Sequence, residues 1–84
     1  MAEIKITKQA AKGLNQIPRH HANAILEKLE RIANDDLKGL NIKYFTSMNA
    51  WRLRHCNYRA VYEKEGVTMN ILVIKVGPRG NVYK

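Results

Sequence analysis

From Pro18 to about Asn34 the sequence carries Ala22, Ile25, Leu26, Leu29, Ile32 and Ala33 at helical spacing. That is a helix with one wide apolar stripe, and a stripe of this kind has to be buried against another layer. Pro18 suits the first turn of this helix and breaks whatever precedes it. Glu27 and Arg31 stand four apart on the outer face, in the favourable order for an ion pair. Ahead of Pro18, Thr7 is a suitable N-cap for a short helix from Lys8 to Gln16, with Ala10, Leu14 and Ile17 on its apolar side. Gly13 weakens that helix by about 1 kcal/mol relative to Ala. The two helices around Pro18 make a helical hairpin whose apolar side needs a sheet to cover.

The remaining segments supply that sheet. Glu3 to Thr7 alternates, with Ile4 and Ile6 on one side. Residues 35–49 read as a turn-rich connection, bent at Gly39 and pinned to the core by Leu37, Leu40, Ile42 and Tyr44. Ala50 to His55 then alternates, with Trp51, Leu53 and His55 on one face and Arg52 and Arg54 on the other. Asn57 marks a turn. In Tyr58 to Glu63, Arg59, Val61 and Glu63 share one face and Tyr58, Ala60 and Tyr62 the other. Lys64-Glu65-Gly66 reads as a hairpin loop. Val67 to Val76 is rich in β-branched residues and reads as a central strand, closed by Gly77-Pro78. The expected fold is α+β: one domain over residues 1–84, ordered β-α-α-β-β-β. An antiparallel sheet has the helical hairpin on one face and its other face free.

Charge says what that free face is for. The 84 residues include 15 Lys or Arg and 7 Asp or Glu, a formal charge of +8. Residues 43–84 hold eight basic and two acidic side chains, so most of the excess lies in the strand-rich half. Arg52, Arg54, Arg59, Lys75 and Arg79 fall inside or beside apolar strand segments, whereas charges that serve solubility favour helix faces and loops. The implied partner is a polyanion, nucleic acid first. No apolar run is long enough to span a membrane, the N-terminus has no secretory signal, and the single cysteine, Cys56, excludes an internal disulfide. A cytoplasmic setting is expected.

Most enzyme chemistries lack their parts. Ser47 is the only serine, and its spacing from His20, His21 and His55 suggests no triad. There is no Gly-rich phosphate loop. No metal site is expected: His20 and His21 are adjacent on a helix and diverge, and His55 and Cys56 are adjacent on a strand and should point to opposite faces. A chain rich in arginine and poor in nucleophiles suits RNA cleavage, where the substrate's own 2′-hydroxyl attacks. The protein has only to align the backbone, stabilise the phosphorane charge and move two protons. Guanidinium groups meet the second need.

Trp51-Arg-Leu-Arg54, Asn57-Tyr-Arg-Ala-Val-Tyr62, Val73-Ile-Lys-Val-Gly-Pro-Arg79 and Val82-Tyr83 together resemble the core of the RelE/ParE toxin superfamily. They are closest in pattern to the RelE-type ribosome-dependent messenger-RNA endonucleases. The resemblance spans residues 4–84 in element order and 51–83 in residue pattern. It implies a bacterial toxin held inactive by a cognate antitoxin, entering the ribosomal A site and cutting the messenger without metal or cofactor. It places the catalytic set on Arg52, Arg54, Arg59, Arg79 and Tyr83. Close relatives carry lysines at the first two positions, so here those positions keep electrostatic duty rather than proton transfer. It also implies that a C-terminal helix found in some relatives is missing.

Within that set Tyr83 is the economical base and Arg79 the acid or transition-state clamp, since arginine stays protonated. A free phenol titrates near about 10, and nearby arginines lower that value. Lys43, Lys75 and Lys84 are expected to hold nucleic-acid backbone without reading sequence. For Arg59 the competing role is a salt bridge to Glu63 or Glu65. Trp51, Tyr58 and Tyr62 are expected in the core. Two other functions fit the same fold: a ParE-like inhibitor of DNA gyrase, and an RNA-binding module without catalysis.

Overall fold

The computed structural model describes residues 3–66 and 70–78. Along the chain run β1 (Ile4–Ile6), α1 (Lys8–Gln16), α2 (Arg19–Ala33), β2 (Asn41–Phe45), β3 (Ala50–His55), β4 (Tyr58–Glu65) and β5 (Asn70–Pro78). The five strands form one sheet in the order β1-β5-β4-β3-β2. Strands β2 to β5 pair antiparallel, and β1 joins β5 in parallel. The architecture is the expected α+β arrangement with both helices on one face.

Thr7 ties the first turn together. Its hydroxyl accepts from the Ala10 N–H at 3.1 Å, capping α1, and donates to the Ile74 carbonyl at 2.9 Å, fixing the helix start to β5. That carbonyl belongs to an irregular stretch. The β4–β5 register slips between Val61 and Tyr62, so Val61 faces Lys75 and Tyr62 faces Val73. Helix α2 starts at Pro18, whose carbonyl receives the His21 and Ala22 N–H groups, and stops at Asn34, before a left-handed Asp35 at φ 59°.

The core forms where the helix stripes meet the sheet. Ala10, Ile17, Ala22, Ile25, Leu29 and Ile32 pack against Leu53, Ala60, Tyr62, Ile71, Val73 and Val76, all buried. Trp51 and Tyr58 pack at its edge, half-buried, while Tyr62 is fully enclosed.

Five local expectations are corrected. Residues 41–45 are a strand, where the sequence suggested only a connection. As an edge strand β2 needs one partner, and Ile42 and Tyr44 find Leu53 and Trp51 across the ladder. Leu40 and Ile42 do reach the core, but Leu37 and Tyr44 stay exposed. The sheet is mixed rather than wholly antiparallel, because the chain crosses over through both helices before β5 pairs with β1. Lys64 and Glu65 belong to β4, opposite Ile71 and Asn70, rather than to a loop. Arg31 pairs with Asp36 at 3.1 Å rather than with Glu27, and its hydrogen bond holds the Asp36 carboxyl below its usual range.

Gly13, a weak helix former, has a packing reason. A Cβ built there would lie 1.9 Å from the Val76 carbonyl oxygen, inside backbone that has nowhere to move. The missing side chain lets α1 press onto β5. Gly13→Ala is therefore expected to lower stability by about 1–3 kcal/mol or more, despite the better helix propensity of Ala. Chemical denaturation of the two proteins measures this.

Candidate functional site

The sheet face away from the helices is built from the polar positions of the alternating strands. Register places Lys43 directly opposite Arg52, and Arg54 directly opposite Arg59. Lys75 stands opposite Val61, which with Ala50 forms a small apolar floor on this face. Five cations thus occupy neighbouring positions on β2 to β5. Like charges placed directly across a ladder repel each other, so two such pairs side by side oppose folding in the absence of an anion. The acidic residues of the face, Glu63 and Glu65, lie towards the other end of β4, and Glu65 pairs with Lys5 at 3.6 Å.

Two of the three guanidinium groups are held rather than free in solvent. Arg59 is only 6% exposed, and its Nη1 is buried without a hydrogen-bond partner among the described residues. Neither Glu63 nor Glu65 forms a salt bridge with it among these residues. Arg52 donates from Nη2 to Asn41 Oδ1 at 2.9 Å, while its Nε is likewise buried and unpartnered. Arg54 is exposed, with one long contact from Nε to the Cys56 carbonyl at 3.5 Å. Lys43 lies over the Phe45 ring, 5.6 Å from its centre. A buried guanidinium with an open donor is costly to maintain, and an incoming phosphate oxygen would satisfy it.

The structure thus brings Arg52, Arg54, Arg59, Lys43 and Lys75 onto one face. Arg79, Tyr83 and Lys84 lie outside the described residues. The last described residue, Pro78, pairs with Tyr58, one step beyond the Gly77–Arg59 pair. A cleft of about 310 Å³ opens beside this end of β5, lined by Gln9, Lys12 and Gly13 of α1 and by residues 75–78, and none of the three sheet arginines lines it.

On the helix face the sequence analysis missed a polar cluster. Lys28 Nζ lies 2.8 Å from His55 Nδ1, and His55 Nε2 lies 3.1 Å from His21 Nδ1. Burial, and then the charges of Lys28, His21 and His20, hold His55 below the usual imidazole value. Cys56 belongs to the β3–β4 turn, with φ 52°, rather than to the strand. Its sulfur, His55 and His21 present ligand atoms within 4.8 Å of one another, so the expected divergence of His55 and Cys56 does not hold. No sequence spacing reveals this group, because His21 and His55 are 34 residues apart and only the packing of α2 on β3 joins them.

The fold is of the α+β class, two helices on one face of a mixed five-stranded sheet whose other face is cationic. The family model described as the ParE toxin of type II toxin–antitoxin systems, parDE, matches residues 4–83. The chain belongs to this family and is a toxin of a type II toxin–antitoxin system in the RelE/ParE group. Its fold resembles the toxin in the RelB–RelE antitoxin–toxin complex of Methanococcus jannaschii, at 27% identity and TM-score 0.77 over 94% of each chain. It also resembles the archaeal RelE–RelB complex of Pyrococcus horikoshii, at 24% identity and TM-score 0.79, over 95% of this chain and 97% of that one. The isolated RelE toxin of E. coli matches at 18% identity and TM-score 0.69, over 99% and 92%. Among curated proteins no sequence matches.

Two measurements check the electrostatics. Arg54→Thr is expected to raise the thermal midpoint at low ionic strength by removing one like-charge pair, with the gain shrinking as salt is added. Tyr62 is the second case, since burial pushes its phenol up to about 12. Its unfolded value is near 10, so its contribution to stability is complete below pH 10 and is lost as pH rises through 12. Phenolate absorbance should show one late step near pH 12 that Tyr62→Phe removes.

Proposed function

We propose that this toxin is a metal-independent endoribonuclease that cuts messenger RNA in the ribosomal A site, in the manner of RelE-type toxins. The observation that carries this reading is the pair of like-charged cross-strand neighbours, Lys43–Arg52 and Arg54–Arg59, with an open buried donor on Arg59. Such a surface suits a phosphodiester backbone. It also fits a reaction whose main demand is to hold a phosphorane.

In the proposed reaction the substrate 2′-hydroxyl attacks the adjacent phosphorus. A P–O2′ bond forms and the P–O5′ bond breaks, leaving a 2′,3′-cyclic phosphate and a 5′-hydroxyl. Tyr83, as phenolate, takes the 2′ proton, and a proton is returned to the departing O5′. Arg52, Arg54 and Arg59 hold the non-bridging oxygens in line, and Arg79 clamps the developing charge or supplies the leaving-group proton. Arg79 directly follows Pro78 in the chain, close in sequence to the residue that pairs with Arg59. Tyr62 is unsuited to be the base, because it is sealed in the core with a raised pKa. Lys43, Lys75 and Lys84 grip backbone phosphates without reading bases. The proposed partners are a cognate antitoxin, the ribosome and its messenger, in the cytoplasm.

Removing one donor to a developing charge lowers rate by about 10²–10³. Arg59→Ala is expected to show a loss of that size on programmed ribosomes, and Arg79→Ala or Tyr83→Phe to abolish cleavage while antitoxin binding persists. A chelator should leave the rate unchanged. Full cleavage by the Arg79→Ala/Tyr83→Phe double variant would reject these roles.

The matched family is described as a ParE toxin; the second reading is therefore a ParE-like inhibitor of DNA gyrase that cuts no RNA. Mapping transcript 5′ ends after induction separates the two. New ends within coding sequence support the ribonuclease, and intact transcripts with induced DNA damage support the gyrase inhibitor.

A further inference from the structure

We propose that His21, His55 and Cys56 bind one zinc ion, which ties α2 to the β3–β4 turn. The three are brought together by tertiary packing: His21 lies in the first turns of α2, His55 ends β3, and Cys56 opens the turn. Two ring nitrogens, His21 Nδ1 and His55 Nε2, are 3.1 Å apart. Tetrahedral zinc with bonds of 2.0–2.1 Å to nitrogen sets two such atoms about 3.3 Å apart. All three ligand atoms lie within 4.8 Å of one another. Cys56 is exposed, which leaves its side chain free to turn toward the two nitrogens.

The surroundings orient the donors. His55 is half-buried and held edge-on to His21, with ring centres 5.2 Å apart. The Tyr58 ring lies 4.9 Å from that of His21. The left-handed Cys56, at φ 52°, turns the chain so that its sulfur lies beside the histidines instead of across the sheet from them. Two imidazoles and a thiolate form a set that suits zinc and leaves the fourth tetrahedral position to water.

The protons balance. Without metal, Lys28 donates to His55 Nδ1, which puts the His55 proton on Nε2, facing the lone pair of His21 Nδ1. Zinc takes both lone pairs in place of that shared proton. The His55 proton moves to Nδ1, Lys28 turns out to solvent as the ammonium, and the Cys56 thiol proton is released. The thiolate offsets part of the repulsion between the metal and Lys28. The site is on the helix face of the sheet, while Arg54 and Arg59 flank the same turn on the opposite face. Zinc there lies across the sheet from the arginines and takes no part in phosphate chemistry.

The test uses the full-length toxin, reduced and stripped of metal, titrated with zinc chloride by calorimetry. Cobalt(II) serves as a spectroscopic substitute. One equivalent of zinc should bind and raise the thermal midpoint, and cobalt should give a thiolate-to-metal charge-transfer band. Cys56→Ser should fold normally, since the side chain is exposed, and lose the band. His21→Gln and His55→Gln should each weaken zinc by about 10–100-fold or more, while His20→Gln keeps the affinity of the parent. Failure to take up one equivalent would overturn the assignment. So would an unchanged cobalt band in Cys56→Ser, or equal losses in His20→Gln and His21→Gln.

Discussion

The contact between Gly13 and the Val76 carbonyl sets the distance between layers in this small protein. At that point α1 lies against the β5 backbone with no side chain between them, and Thr7 pins the start of the same helix to Ile74. The β4–β5 irregularity lies on this stretch, bringing Val73 and Val76 to the core side with two residues between them instead of one. With α1 seated there, α2 covers the rest of the same face with Ala22, Ile25, Leu29 and Ile32. Both helices are used on one side, and the polar side of the sheet stays open.

That open side explains why a folded chain tolerates so much unbalanced charge. Lys43 against Arg52 and Arg54 against Arg59 would be poor choices for a sheet selected for stability alone. A buried Arg59 with an open donor adds to the cost. The core on the other face has to compensate. Its apolar layer is continuous, from Ile71 and Val73 on β5 to Leu53 on β3. The pleat thus separates the apolar core from the cationic face: alternate positions of one strand serve one or the other.

The reach of the sequence analysis follows the same physics. Strict alternation in Ala50–His55 and Tyr58–Glu63 gave the right faces for Arg52, Arg54 and Arg59, because side-chain direction along a strand is a local property. The stripe of α2 and the Thr7 cap were legible for the same reason. Strand β2 was not, since an edge strand with exposed Lys43 and Tyr44 gets its identity from pairing with β3. The parallel placement of β1 was hidden likewise, because nothing in three residues records which neighbour they will meet 67 positions later.

By itself, then, the sequence determined the two helices, the meander strands and their two faces, the cationic character of one of those faces and the resemblance to a toxin superfamily. Periodicity and composition are written residue by residue, and short-range sterics suffice to read them. Tertiary structure alone decided that Arg54 stands across from Arg59, that Gly13 is a contact point rather than a weakness, and that His21, His55 and Cys56 meet. Each of these is a distance between segments remote in sequence, set by how layers pack and strands register.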